Sequence, residues 1–135
     1  MSSEPFVGAW HVVVLNSNCA FVGGCGEGSA QEQWLRSDLA ASGADCTLAY
    51  MHHPRFSSGR SPQLDEYEPF WTALWENGVD VVLAGHDHIY EREAPQTPIG
   101  DASAAYGIRE FVVGTGGFNH SGIAGVLPRS EVRDN

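Results

Sequence analysis

Apolar positions along this chain fall into short continuous runs separated by longer stretches of helical spacing. WHVVVLN (10–16) is dense in β-branched side chains and short, which predicts a buried strand. CTLAYM (46–51) and VDVVLAG (79–85) have the same character, and IREFVVGTGG (108–117) reads as a fourth strand ending in a glycine turn. Between the first two runs, Ser29 and Glu32 stand at capping-box spacing. Trp34, Leu35 and Leu39 then recur at helical spacing until Ser42 and Gly43 close the element. A second amphipathic stripe, Leu64, Tyr67, Phe70, Trp71, Leu74 and Trp75, covers 64–76. Pro69 lacks an amide hydrogen and does not suit a helix interior. It predicts a helix starting near residue 69, preceded by a separate short turn and ended by Asn77-Gly78.

The remaining segments are punctuated by turn residues. SNCAFVGGCGEG (17–28), HHPRFSSGRSP (52–62) and the stretch containing Pro95, Pro98 and Gly100 read as loops, and the tail GVLPRSEVRDN reads as irregular. Near-continuous apolar strands alternating with helices predict an α/β fold, a parallel sheet with helical cover. In such sheets sites form at the carboxyl ends of the strands. A length of 135 residues suits one domain, and the chain shows no repeat, linker or low-complexity segment.

Charge narrows the partners. Seventeen acidic and seven basic residues give a formal net charge of −10. That balance disfavours nucleic acid and anionic membranes. It also disfavours a phosphate-bearing substrate, unless bound metal reverses the local field. No apolar run approaches the roughly 20 residues needed to span a bilayer, and MSSEPFVGAW has no signal-peptide pattern. Of three cysteines, Cys19 and Cys25 share one glycine-rich loop and would pair in an oxidising compartment, leaving Cys46 free; three reduced thiols are the alternative.

Four of the six histidines directly follow predicted strands: His52 and His53 after CTLAYM, His86 and His88 after VDVVLA. If those strands are parallel neighbours, all four converge at one edge of the sheet. Residues two apart in an extended segment face the same side, so His86 and His88 can aim at one centre while Asp87 faces away. Neutral imidazole suits zinc, iron and manganese. Solvated loop pairs remain the plainer alternative for each motif alone. His11 lies inside a strand pattern and reads as structural, whereas His120, in GGFNHSG, could be either.

Taken together, YMHHPRFSSG (50–59), DVVLAGHDHIYER (80–92) and REFVVGTGG (109–117) resemble the calcineurin-like metallophosphoesterases, in particular the purple-acid-phosphatase-like branch. LNSN (15–18) and QEQWLRSDLA (31–40) also fit. The resemblance implies the C-terminal half of an αββα sandwich, a mixed sheet with helical cover, and hydrolysis of phosphate esters. Carried over by position, it implies His52 and His86 as ligands of one metal and His88 as a ligand of its neighbour. His53, Arg55 or Arg60 would contact the substrate phosphate, with ordinary loop charge as the alternative for the two arginines. Tyr90, Glu91 and Arg92 read as a structural pair, with support of the metal ligands from behind as the alternative. The metals implied are iron, zinc or manganese, roughly 4 Å apart. Relatives are often exported.

The family's D-x-H, G-D-x-x-[DY] and G-N-H motifs, which bring its Asp and Asn ligands, do not occur here. Three neutral imidazoles do not offset the charge of two metals. The expectation is therefore a partial domain, a fragment of a longer gene product or a subunit completed by another chain, that holds at most one metal well. Its apolar face or sheet edge would pair with another chain or with a second copy. A non-catalytic metal-binding or interaction half-domain is the alternative to an enzyme.

Overall fold

The computed structural model describes residues 2–7, 9–61 and 63–135. Pro62, the last residue of the loop expected over 52–62, lies outside them. Among the described residues seven strands form one mixed sheet in the order β1-β2-β3-β4-β6-β5-β7. They are β1 (Ser2–Val7), β2 (Trp10–Val14), β3 (Cys46–Met51), β4 (Val81–Ala84), β5 (Tyr90–Glu93), β6 (Arg109–Val113) and β7 (Ser130–Asp134). The centre, β2-β3-β4-β6, is parallel as expected. Antiparallel strands border it, β1 on one side and β5 then β7 on the other.

Helix α1 (Ala30–Ala41) begins where the capping pattern predicts: the Ser29 side chain accepts from the Glu32 amide. Helix α2 (Glu68–Glu76) has Pro69 in its first turn, and a 3-10 turn, Asp65–Tyr67, precedes it. Both helices cover one face of the sheet. Val13, Ala49 and Val82 from the central strands pack there with Leu35, Leu39, Phe70, Trp71 and Leu74. His11 points into the same layer, buried, with its Nε2 2.9 Å from an Asp38 carboxylate oxygen of α1. It is structural, as its place in the strand pattern predicts.

The other sheet face is apolar and uncovered. Trp10, Tyr50 and Val113 are 38%, 43% and 45% exposed, in step with the half-buried Val12, Val14, Leu48 and Leu83. An open hollow of about 670 Å³ lies on this face between Val14, Tyr50, Leu83 and Val113, and His52 forms part of its wall.

Three strands depart from the pattern-based expectation. Residues 2–7 carried no strand signal, yet pair with β2. In β5 the inward positions are Glu91 and Glu93, both fully buried, so its alternation is real but inverted in polarity. The tail segment SEVRD forms the edge strand β7, largely exposed, and is polar as an edge should be. The loop 17–28 contains one 3-10 turn, Cys19–Phe21, and is closed by the Cys19–Cys25 disulfide; Cys46 is free.

Candidate metal centre

The parallel register decides which loops meet. Met51 of β3 lies opposite Ala84 of β4, and one residue further the Gly85 amide donates to the His52 carbonyl at 2.9 Å. The histidine-bearing loops therefore leave the sheet side by side. On the other flank, β2 is also in parallel register with β3, and the Leu15 amide donates to the Tyr50 carbonyl. That brings Ser17 beside His53: the His53 amide donates to Ser17 Oγ at 3.0 Å, and His53 Nδ1 sits 2.9 Å from the same oxygen.

His52, His53 and His86 come together. One ring nitrogen from each lies within 4.8 Å of the others, a spacing compatible with a shared metal ion. His52 Nε2 and His86 Nδ1 are 3.1 Å apart. Tyr67 stacks on the outer face of His53, and its buried hydroxyl donates to the Ser17 carbonyl at 2.9 Å. Burial lowers the proton affinity of the His52 and His53 imidazoles, and the neighbouring His86 adds repulsion against a second positive charge. Both effects favour the neutral, ligating form.

His88 stands outside that trio. Its Nδ1–H donates to the Asn119 carbonyl at 3.0 Å, which leaves Nε2 as the ring nitrogen that can face a ligand. This is the kind of carbonyl contact that fixes the tautomer of a ligating histidine. Phe118 lies against the His88 ring, 4.9 Å between centroids. A second hollow, about 470 Å³, joins His52, His86 and His88 with Arg60 and His120. His120 is exposed at its rim.

Arg55 is a correction. Expected near the substrate phosphate, it is fully buried. Its guanidinium donates to Asp65 at 2.9 Å, to Glu68 at 3.1 Å and to the Pro98 carbonyl at 3.0 Å. A side chain enclosed in this way supports the fold, and Arg60 is the loop arginine that faces the hollow.

Sequence reasoning passed over the groups that hold the loop after His53. Both Glu110 oxygens accept backbone amides, from Arg55 at 2.9 Å and Phe56 at 3.0 Å. Glu91 accepts from the Ser58 amide at 2.7 Å, and Asp87 from the Ser57 hydroxyl and the Ser61 amide. Acidic residues two apart in a run such as YERE, opposite another in REF, were the available signal.

The family model for calcineurin-like phosphoesterases matches residues 11–90, more than half of the chain. A probable purple acid phosphatase 20 of Arabidopsis thaliana is 33% identical over 90 residues, covering 61% of this chain and 20% of that protein. An acid phosphatase of Aspergillus ficuum is 41% identical over 69 residues, covering 48% of this chain and 11% of its own length. Among solved structures, the purple acid phosphatase PPD1 of yellow lupin (Lupinus luteus) superposes with a TM-score of 0.84 over 98% of this chain and 26% of that one, at 18% identity. GAP50, described as the anchor in the inner membrane complex of Plasmodium, gives 0.70 over 98% of this chain and 41% of its own, at 16% identity. The chain thus spans a fifth or less of the sequence relatives it matches. The likeness to solved structures establishes the fold, and the sequence match establishes membership. This chain belongs to the calcineurin-like phosphoesterase family, and its sequence likeness lies on the purple-acid-phosphatase side.

Proposed function

We propose that this chain carries the histidine side of a metal-dependent phosphoric ester hydrolase acting on phosphomonoesters or diesters. The observation behind this reading is the gathering of His52, His53 and His86 donor atoms within 4.8 Å at the ends of adjacent parallel strands. His52 and His86 would hold one ion, with His53 completing the trio or meeting the substrate phosphate. His88, its Nδ1 taken by the Asn119 carbonyl, would serve a neighbouring ion through Nε2. An imidazole donor set fits zinc, iron or manganese. Metal bound in such a centre supplies Lewis-acid charge for a phosphate and a nucleophilic oxygen near neutral pH.

The donor set fits one ion better than two. Among the described residues no carboxylate joins the trio, and Asp87 turns away to Ser57 and Ser61. Carboxylate ligands would come from further polypeptide, in the same protein or a second chain. The uncovered apolar face beside His52 is where such a segment would pack. Acidic surface and missing carboxylates together also support a second reading, a metal-binding or interaction module without hydrolysis. A shared fold does not fix chemistry.

The test is metal stoichiometry on protein stripped with chelator and reloaded with zinc, iron or manganese. The proposal expects at least one ion per chain, lost in His86→Ala. Phosphatase activity that is metal-dependent and absent in His86→Ala selects the enzyme. Metal binding without any hydrolysis, with carboxylate-bearing partner present, selects the module. No bound metal overturns the hydrolase and the metal-binding module and leaves an interaction module.

A further inference from the structure

The residue between the two histidines of GHDH is enclosed on every side. Asp87 is 3% exposed. Its Oδ2 accepts from the Ser57 hydroxyl at 2.6 Å and the Ser61 amide at 3.0 Å. Its amide donates to the Gly85 carbonyl at 2.7 Å, and its carbonyl accepts from the Ile89 amide at 2.8 Å. Two glycines make the fit possible. A Cβ on Gly59 would lie 2.6 Å from Oδ2, and a Cβ on Gly114 would lie 1.9 Å from the Asp87 carbonyl oxygen. Directly before it, His86 has φ of +61°, the one non-glycine among the described residues in the left-handed region. A β-carbon disfavours that conformation, so surrounding contacts must hold it.

We propose that Asp87 is the positioning residue of this centre: its clamp to Ser57 and Ser61 holds the left-handed turn that aims His86 at His52 and His88 at the opposite wall. The side chain faces away from the metal and acts through the backbone on either side of it. The same clamp ties GHDH to the loop that follows His53, so one carboxylate links the two histidine loops. This rests on the metal reading above for its purpose, although the turn itself can be read without metal.

The experiment uses the full chain with Asp87→Ala, Asp87→Asn and Ser57→Ala, each compared with the parent after folding is verified by circular dichroism. The first readout is the imidazole nitrogen NMR spectrum of metal-free protein. The parent should show His88 as the Nδ1–H tautomer, and Asp87→Ala should lose that signature and shift His86. The second readout is zinc affinity by calorimetry. It should fall about tenfold or more in Asp87→Ala, as for supporting contacts around other metal sites, with partial recovery in Asp87→Asn. Ser57→Ala removes one clamp donor without touching a ligand and should move both readouts in the same direction if Asp87→Ala does not fold. A folded Asp87→Ala, or in its place Ser57→Ala, with parent imidazole spectra overturns the positioning role. A parent that binds no zinc but whose imidazole spectrum depends on Asp87 overturns the metal reading and leaves the clamp standing.

Discussion

The Gly85 amide donates to the His52 carbonyl across 2.9 Å, which makes it the last rung of the β3–β4 ladder and the first contact between the two histidine loops. Sheet geometry thereby sets the spacing of the histidine side chains. One residue beyond that rung, His86 bends into a left-handed turn and places Nδ1 3.1 Å from His52 Nε2.

The turn has an energetic consequence. Left-handed backbone costs an ordinary residue roughly 1–2 kcal/mol, and asparagine tolerates it better. In metal-free protein, His86→Asn should therefore raise stability by about 1 kcal/mol, measured by urea unfolding. The same substitution should remove bound metal. A destabilised variant would show that His86 makes contacts worth more than the backbone cost.

Arg55 should behave as a structural residue. Its partners Asp65 and Glu68 are largely solvated, so the ion pairs themselves are screened. Loss of the enclosed guanidinium with its bond to the Pro98 carbonyl should still cost about 2–3 kcal/mol in Arg55→Met. Calorimetric binding of inorganic phosphate to metal-loaded protein should change less than tenfold. A stable variant with phosphate binding abolished would restore Arg55 to the substrate site.

The Cys19–Cys25 disulfide closes a short loop, six residues apart in sequence, that follows Ser17 and so borders His53. Chain-entropy arguments give about 2 kcal/mol for a loop of this size. Reduction should lower the unfolding midpoint accordingly. Replacing both cysteines with serine should match the reduced protein, as followed by denaturant titration with and without reductant.

Stability should decline toward alkaline pH through the buried glutamates. Burial pushes Glu110 up to about 8 against two backbone amides that pull it down, and burial with Glu91 beside it pushes Glu93 to about 8. Each therefore binds its proton more tightly folded than unfolded. Between the ordinary value of 4.5 and about 8 the folded state holds more protons, so this contribution is complete below 4.5 and lost as pH rises through 8. Unfolding midpoints should fall from pH 5 to pH 9, and Glu110→Gln should flatten that slope. A slope unchanged by the substitution would assign the dependence to other groups.

Much of the layout was legible because its signals are local. Ser29 with Glu32 set the start of α1, and Pro69 placed the first turn of α2 after a separate 3-10 turn. Apolar runs gave β2, β3, β4 and β6. Strand β5 was missed because its inward positions are glutamates, and the partners of Glu91, Ser58 and Ser130, are far away in the chain. Strand β7 was missed because an exposed edge needs no apolar pattern.

The sequence by itself determined which histidines end which strands, and that they would share one sheet edge if those strands were parallel neighbours, because both follow from spacing along the chain. It could not determine that His53 joins His52 and His86 while His88 turns to Asn119. Nor could it show that Arg55 is enclosed, or that Asp87, Glu91 and Glu110 bind the backbone of the intervening loop. Those choices depend on which amides are left without sheet partners once the strands are in register. Burial makes each such amide costly to leave unpaired, and only the assembled fold brings a carboxylate within reach.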